Sequence, residues 1–230
     1  MTSTKPLRLF VLGATGGTGR ELVQQALERR HHVTAFVRAP HKMREPHDGL
    51  TVVQGDLLDV KALGAALTGH DAVVSTVGPP GPRRTTITHD SARATVAAME
   101  ATGVRRLLIL GVAMLFEDAG VIATVLRKTL LRYVAGDSSA MELVVRASPL
   151  DWTIVRPPRL TAGPRTERYD VAEDRLPTGT GGTAKISRAD VAHFLLSEAE
   201  APLHVRRVVG IAYPNRKRAR ATPAHGSANT

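Results

Sequence analysis

The chain reads as an α/β domain: one doubly wound, mostly parallel sheet, with a small lobe contributed by the loop after the sixth strand. Three observations predict it. An apolar strand, Leu7 to Leu12, runs straight into Gly13-Ala14-Thr15-Gly16-Gly17-Thr18-Gly19, and an amphipathic, helix-favouring stretch follows from Arg20 to Arg29. Apolar, β-branched runs then alternate with helical patterns along the rest of the chain, as repeated βαβ units require. Finally, 230 residues supply one full core and are short for two, and with no cysteine the chain must be stabilised by burial rather than by disulfides.

Each element follows in turn. Val33 to Val37 is a second strand at βαβ spacing, and Leu50 to Gln54 a third. Val60 to Leu67 reads as a helix, Ala72 to Val77 as the fourth strand, and Thr86 to Thr102 as a helix ended by Gly103. Arg105 to Leu110 is a fifth strand broken by Gly111. Asp118 to Val134 and Ser138 to Ala147 read as two helices on either side of Ala135-Gly136, and Asp151 to Arg156 as the sixth strand, stopped by Pro157-Pro158. Thr161 to Thr183 is rich in Gly, Pro, Thr and charge and is too long for an idle connection, so it is expected to form a substrate-side lobe or lid. Ser187 can cap a helix over Arg188 to Glu198 with Asp190 in its first turn, and Val205 to Ile211 closes the pattern as a last strand. Residues 1–214 therefore read as a single domain. Residues 215–230, with Arg216, Lys217, Arg218 and Arg220 among Ala, Pro, Asn and Ser, read as a basic disordered tail.

The glycine turn gives the domain its chemistry. Gly13, Gly16 and Gly19 recur every third residue between strand and helix, which permits a sharp turn, close approach of a ligand and tight packing of helix on strand. The amides of the helix N-terminus then face an anion, most naturally a dinucleotide pyrophosphate. The fold is thus of the Rossmann type. A dinucleotide site for NAD usually offers Asp or Glu at the end of the second strand, whereas one for NADP offers a cation. This chain offers Arg38, followed by His41, Lys42 and Arg44, with no carboxylate before Glu45. A planar guanidinium backed by a second charge suits the 2′-phosphate, so NADP(H) is expected over NAD(H).

In such sheets ligands lie outside the carboxyl ends of the strands. That selects Gly55-Asp56-Leu57, Thr76-Val77-Gly78, Leu110-Gly111-Val112 and Pro157 to Leu160. Asp56 either accepts from an adenine amino group, with the Leu57 amide as donor, or caps a helix. Gly78 either passes close to the nicotinamide ribose or serves the turn with Pro79 and Pro80. Met114, Leu115 and Phe116 are core or an apolar shelf. Arg83 and Arg84 are solvated, or else guide an anionic substrate.

Charge and composition exclude other classes. The formal charge is +10, but part of it sits in the tail, and aromatic residues make up 3% of the chain, leaving few platforms for stacking nucleic-acid bases. The start, Met1 to Pro6, has no apolar leader region, and no apolar run reaches membrane-spanning length, so a cytoplasmic protein without membrane association is expected. His31, His32, His41 and His47 have no carboxylate or cysteine partners at metal-ligand spacing, which predicts no metal site. Ser75 and Ser91 lie in no nucleophile-elbow sequence.

The glycine loop, Val37-Arg38, Gly55-Asp56-Leu57-Leu58-Asp59, Trp152 to Pro158 and Ile186-Ser187-Arg188-Ala189-Asp190-Val191-Ala192 together resemble the atypical short-chain dehydrogenases. Among these, the chain is most similar to the NAD(P)H-binding reductases related to flavin reductase and biliverdin-IXβ reductase, over about residues 7 to 212. The resemblance implies an NADPH-dependent reductase passing hydride to a flavin, a tetrapyrrole or another planar acceptor, as a monomer or weak dimer. It implies cofactor contacts at Gly13, Thr15, Gly16, Gly17, Thr18, Arg38, Lys42, Asp56, Leu57, Val77 and Gly78, and places Arg159 and Leu160 near the nicotinamide.

The departures bear on mechanism. Typical short-chain dehydrogenases carry a Tyr-x-x-x-Lys pair for proton transfer. Here Tyr133 is followed at that spacing by Asp137, Val112 stands where the flavin-reductase relatives carry serine, and Ser138 where some carry lysine ahead of the glutamate matching Glu142. The catalytic residues are therefore unassigned. An oxidised flavin tolerates this, because water can protonate it after hydride transfer. The rival expectation is a dinucleotide-sensing regulator similar to the NmrA-like members of the superfamily.

Overall fold

Successive residues of a strand point to opposite faces of a sheet, and here both faces are apolar, so both must be covered. Phe10 and Leu12 of β1 (Arg8–Leu12) belong to one buried cluster, while Leu9 and Val11 belong to another. The computed structural model describes residues 5–43, 46–81, 83–117, 125, 129, 131–177 and 184–214. Most of the expected helix over residues 118–134 and all of the basic tail fall outside them, as do Arg44 and Glu45.

After β1 come α1 (Gly17–Glu28), β2 (His32–Val37), β3 (Leu50–Gln54), α2 (Val60–Leu67), β4 (Ala72–Ser75), α3 (Ile87–Thr102) and β5 (Arg106–Leu110). The second half adds α4 (Arg132–Ala147), β6 (Asp151–Arg156), β7 (Arg159–Thr161), β8 (Asp170–Glu173), β9 (Lys185–Ser187), α5 (Arg188–Glu200) and β10 (Arg207–Ala212). The main sheet has eight strands in the order β3-β2-β1-β4-β5-β6-β10-β8, all parallel except β8, which runs antiparallel to β10. Helices α2, α3 and α4 supply Leu63, Met99, Met141 and Val145 to the first cluster. Helices α1 and α5 supply Leu22, Ala26, Val191 and Leu195 to the second. This is a doubly wound sheet whose strand order reverses between β1 and β4, the switch point at which ligands bind.

Three local differences from the sequence expectation have physical causes. The fourth strand ends at Ser75 rather than Val77, because Thr76 turns its hydroxyl onto the Leu12 and Gly13 carbonyls at 3.1 and 3.2 Å. Helix α4 runs unbroken through Ala135-Gly136. Glycine there costs about 1 kcal/mol relative to alanine, which the burial of Val134, Ala135, Ser138 and Met141 beside it exceeds. Within the segment expected to form a lobe, Asp170–Glu173 joins the main sheet as edge strand β8, and β7 and β9 bracket the segment as a separate two-stranded pair. Among the described residues no helix is long and apolar enough to cross a membrane.

Candidate cofactor site

The glycine turn closes at the switch point. Gly13 has φ +77°, a conformation in which an L side chain is strained, and a Cβ there would stand 2.8 Å from the Thr76 carbonyl carbon. The Gly16 amide donates to the Gly13 carbonyl at 2.9 Å, which makes the turn tight. Gly19 lies against the Gly13 carbonyl oxygen so closely that any Cβ would overlap it, and this lets α1 approach the end of β1. Gly16 is the N-cap of α1. No side chain caps the helix and no acidic residue occupies its first turn, so its leading amides offer their donors outward with nothing to neutralise the positive end of the helix dipole.

Beside this turn is a cleft of about 420 Å³, a size suited to a small-molecule cofactor. Gly13, Thr15, Gly16, Arg38, Lys42, Leu57, Val77 and Gly78 all line it, which brings together eight of the expected contacts from four separate loops. Phe36, Val37 and Ala39 add one wall; Thr76, Pro80, Thr85 and Ile87 add the other. Among the described residues that line it, none is acidic. Arg38 is exposed at the end of β2, and Lys42 follows in a single helical turn, Pro40–Lys42, whose Lys42 amide donates to the Ala39 carbonyl. A neighbouring depression of about 490 Å³ between α1 and the stretch after β2 is larger, but it contains none of the glycine loop. The donor chemistry for an anionic ligand is in the smaller one.

The remaining expected contacts are not among the residues that line the cleft. Gly17 and Thr18 form the first turn of α1. Asp56 accepts from the Leu58 amide at 3.0 Å and is exposed, while the cap of α2 is Asp59, which accepts from the Lys61 and Ala62 amides. Arg159 and Leu160 sit on β7 opposite Lys185 and Ile186, outside the cleft lining. Thr76, which the strand-end rule selected without giving it a role, ties the turn to β4 through its hydroxyl on the Leu12 and Gly13 carbonyls.

The groups considered for proton transfer are engaged elsewhere. Asp137 points from α4 to the start of α3, where it accepts from the Thr88 and His89 amides at 3.1 and 3.0 Å and does the work of a cap that Thr86 does not. Glu142 holds Arg156 through two contacts of 2.8 and 2.7 Å, both side chains nearly buried, with the guanidinium over the Phe116 ring. Tyr133 is exposed and its hydroxyl accepts from Arg132 at 2.7 Å. Ser187 caps α5 by accepting from the Asp190 amide at 3.0 Å, as its sequence position predicted. Among the described residues no group of three or more His, Cys, Asp or Glu side chains is placed to hold a metal.

The donor set fits a dinucleotide: uncapped helix amides for the pyrophosphate, two cations for a further phosphate, and an apolar wall for rings. Comparison with known proteins supports dinucleotide binding. The oxidoreductase stcQ of Emericella nidulans is 31% identical over 230 aligned residues, covering 86% of this chain and 80% of its own. The uncharacterized protein YwnB of Bacillus subtilis strain 168 is 27% identical over 207 residues, covering 86% and 94%. The crystal structure of a Streptococcus pneumoniae TIGR4 protein described as an NADH-flavin reductase superposes with a TM-score of 0.73 at 25% identity, covering 90% of this chain and 100% of that one. A family model described as NAD(P)H-binding matches residues 13–202, from the glycine turn to beyond α5, and the chain belongs to that family.

Proposed function

We propose that the protein is an NADPH-dependent reductase that passes hydride to a planar acceptor such as a flavin or a linear tetrapyrrole. The observation that carries the cofactor half is the cleft wall: among the described residues that line it, Arg38 and Lys42 are present and no carboxylate is. A carboxylate there would accept from the ribose hydroxyls of NADH and repel a 2′-phosphate, whereas two cations reverse both preferences. The resemblance to a protein described as an NADH-flavin reductase supports the acceptor class. So does the engagement of Asp137 and Glu142 in structural contacts, which leaves no tyrosine–lysine relay among the described residues and suits an acceptor that water can protonate.

When bound, reduced nicotinamide supplies the hydride. The chain's part is to receive the pyrophosphate at the first turn of α1, to hold the 2′-phosphate between Arg38 and Lys42, and to keep the ring end of the cleft apolar with Val77 and Ile87 so that the acceptor stacks with little water.

Titration calorimetry tests the cofactor preference. NADPH should bind more tightly than NADH, and Arg38→Ala should weaken NADPH by about 1.5–3 kcal/mol, the range for hydrogen bonds to charged groups, with NADH nearly unchanged. Equal affinities in the unaltered protein contradict the proposal. The acceptor chemistry is checked at Tyr133, which is exposed and bonded only to Arg132 among the described residues. Tyr133→Phe should lower turnover by less than the roughly 100-fold expected as a minimum for losing a general acid. A near-complete loss with NADPH binding intact would assign the proton to that hydroxyl.

A further inference from the structure

Four arginines among the described residues, Arg29, Arg106, Arg156 and Arg188, are withdrawn from full solvent exposure. Arg29 pairs with Glu200, Arg106 with Glu198 and Arg156 with Glu142. Arg188 has no hydrogen-bond, ion-pair or ring partner among the described residues. A guanidinium carries five donors and a fixed charge, and because none of the Arg188 nitrogens is a fully buried orphan, its donors stay open to a ligand.

Its place explains what it lacks. Arg188 is the first residue of α5, next to Ala189, whose carbonyl accepts from Gln25 on α1 at 2.9 Å. From there its side chain reaches the first residue of α1: a Cβ built on Gly17 would lie 2.6 Å from Cδ, 2.8 Å from Nε and 3.6 Å from Cζ of Arg188. Glycine at position 17 therefore leaves room for the arginine stem. The guanidinium so placed stands against the positive end of the α1 dipole, where the helix has neither a side-chain cap nor an acidic residue. A cation at a helix N-terminus is unfavourable by itself. Asp190, two residues on, is committed to the Thr166 and Glu167 amides and the Tyr213 hydroxyl. An anion arriving at the first turn of α1 would satisfy the helix amides and the guanidinium together.

We propose that Arg188 is a phosphate-binding residue of this site, closing on a phosphate group held at the first turn of α1. The proposal rests on the reading of the glycine turn as a dinucleotide site and adds to it a contact from the far end of the chain. A guanidinium can bind two phosphate oxygens at once. The phosphate is either the pyrophosphate of the dinucleotide or the phosphate ester of an acceptor such as flavin mononucleotide.

Binding measurements on Arg188→Ala and Arg188→Lys decide the matter, with melting temperature and circular dichroism as fold controls. If the pyrophosphate is the partner, Arg188→Ala weakens NADPH and NADH equally, by about 10- to 100-fold, and lysine restores part of the loss. That pattern differs from Arg38→Ala, which discriminates between the two dinucleotides. If the acceptor supplies the phosphate, both dissociation constants hold while KM rises about tenfold or more for flavin mononucleotide and not for riboflavin. Should the alanine variant not fold, Gly17→Ala and Arg188→Lys are compared in a double-mutant cycle, because the added methyl displaces the arginine stem without removing its charge. Unchanged dissociation constants and unchanged KM in folded variants overturn the proposal. Failure of the unaltered protein to bind either dinucleotide overturns the site reading itself, a result distinct from a dinucleotide that binds without regard to Arg188.

Discussion

A Gly16→Val variant should lose dinucleotide binding and keep its fold. Gly16 adopts φ −75° and ψ 168°, an extended conformation open to any residue, and the single atom near a Cβ there is the Gly13 carbonyl oxygen at 3.2 Å. That carbonyl must yield by a few tenths of an ångström, and valine is a poorer N-cap than glycine, so a cost of about 1 kcal/mol and a drop of 2–4 °C in Tm are expected. The effect on ligand is far larger. Gly16 lines the cleft, and the branched side chain stands where phosphate must approach the helix amides. Losing two charge-assisted hydrogen bonds of about 1.5–3 kcal/mol each weakens NADPH by more than about 100-fold. Calorimetry at a temperature well below Tm checks this, and undiminished affinity in a folded variant refutes the assignment of the turn.

The second large effect is on stability, at Asp190. This carboxylate is fully buried and gathers the segment after β7 onto α5. It accepts from the Thr166 amide at 2.7 Å, the Thr166 hydroxyl at 2.8 Å, the Glu167 amide at 2.8 Å and the Tyr213 hydroxyl at 2.6 Å. Burial alone pushes its pKa up, and the donors of Tyr213, Glu167 and Thr166 overcome that and hold it below the ordinary aspartate value. Asp190→Ala leaves those donors without their acceptor and should cost about 3–5 kcal/mol, or roughly 6–20 °C in Tm at neutral pH. Because the folded-state pKa lies below the unfolded one, the carboxylate's contribution is present above the ordinary value of 3.8 and is lost as pH falls through the lower folded value. The Tm gap between the unaltered protein and Asp190→Asn should therefore narrow on acidification below pH 3.8. A loss under about 1 kcal/mol on Asp190→Ala would show that the segment is anchored elsewhere.

What the sequence disclosed and what it withheld divide along range. The turn at Gly13 to Gly19, the strand ends carrying Arg38 and Leu57, and the Ser187 cap of α5 are local patterns in which neighbours in the chain are neighbours in space, and each is legible. Asp137 was read against a tyrosine four residues before it. Its real partners, the Thr88 and His89 amides, lie on another helix, and no spacing rule connects them. The same holds for Glu142 with Arg156 and for Arg188 against Gly17. The pairing of Asp170–Glu173 with β10 also depends on a partner strand far along the chain, so composition suggested a substrate-side lobe or lid where part of the segment is sheet edge. Glycine misled once: Gly136 on the exposed side of α4 resembles a helix break, but a glycine facing open space weakens a helix without ending it when the opposite face is packed.

The most direct measurement is the rate of NADPH absorbance loss with FMN, FAD or a linear tetrapyrrole present, against controls lacking protein and with the Gly16→Val variant. Protein-dependent oxidation is expected with at least one of these acceptors, faster with NADPH than with NADH at subsaturating cofactor, and abolished in the variant. Tight NADPH binding with no oxidation above the controls for any of the three would contradict the reductase proposal and would leave a chain that holds the dinucleotide without spending its hydride.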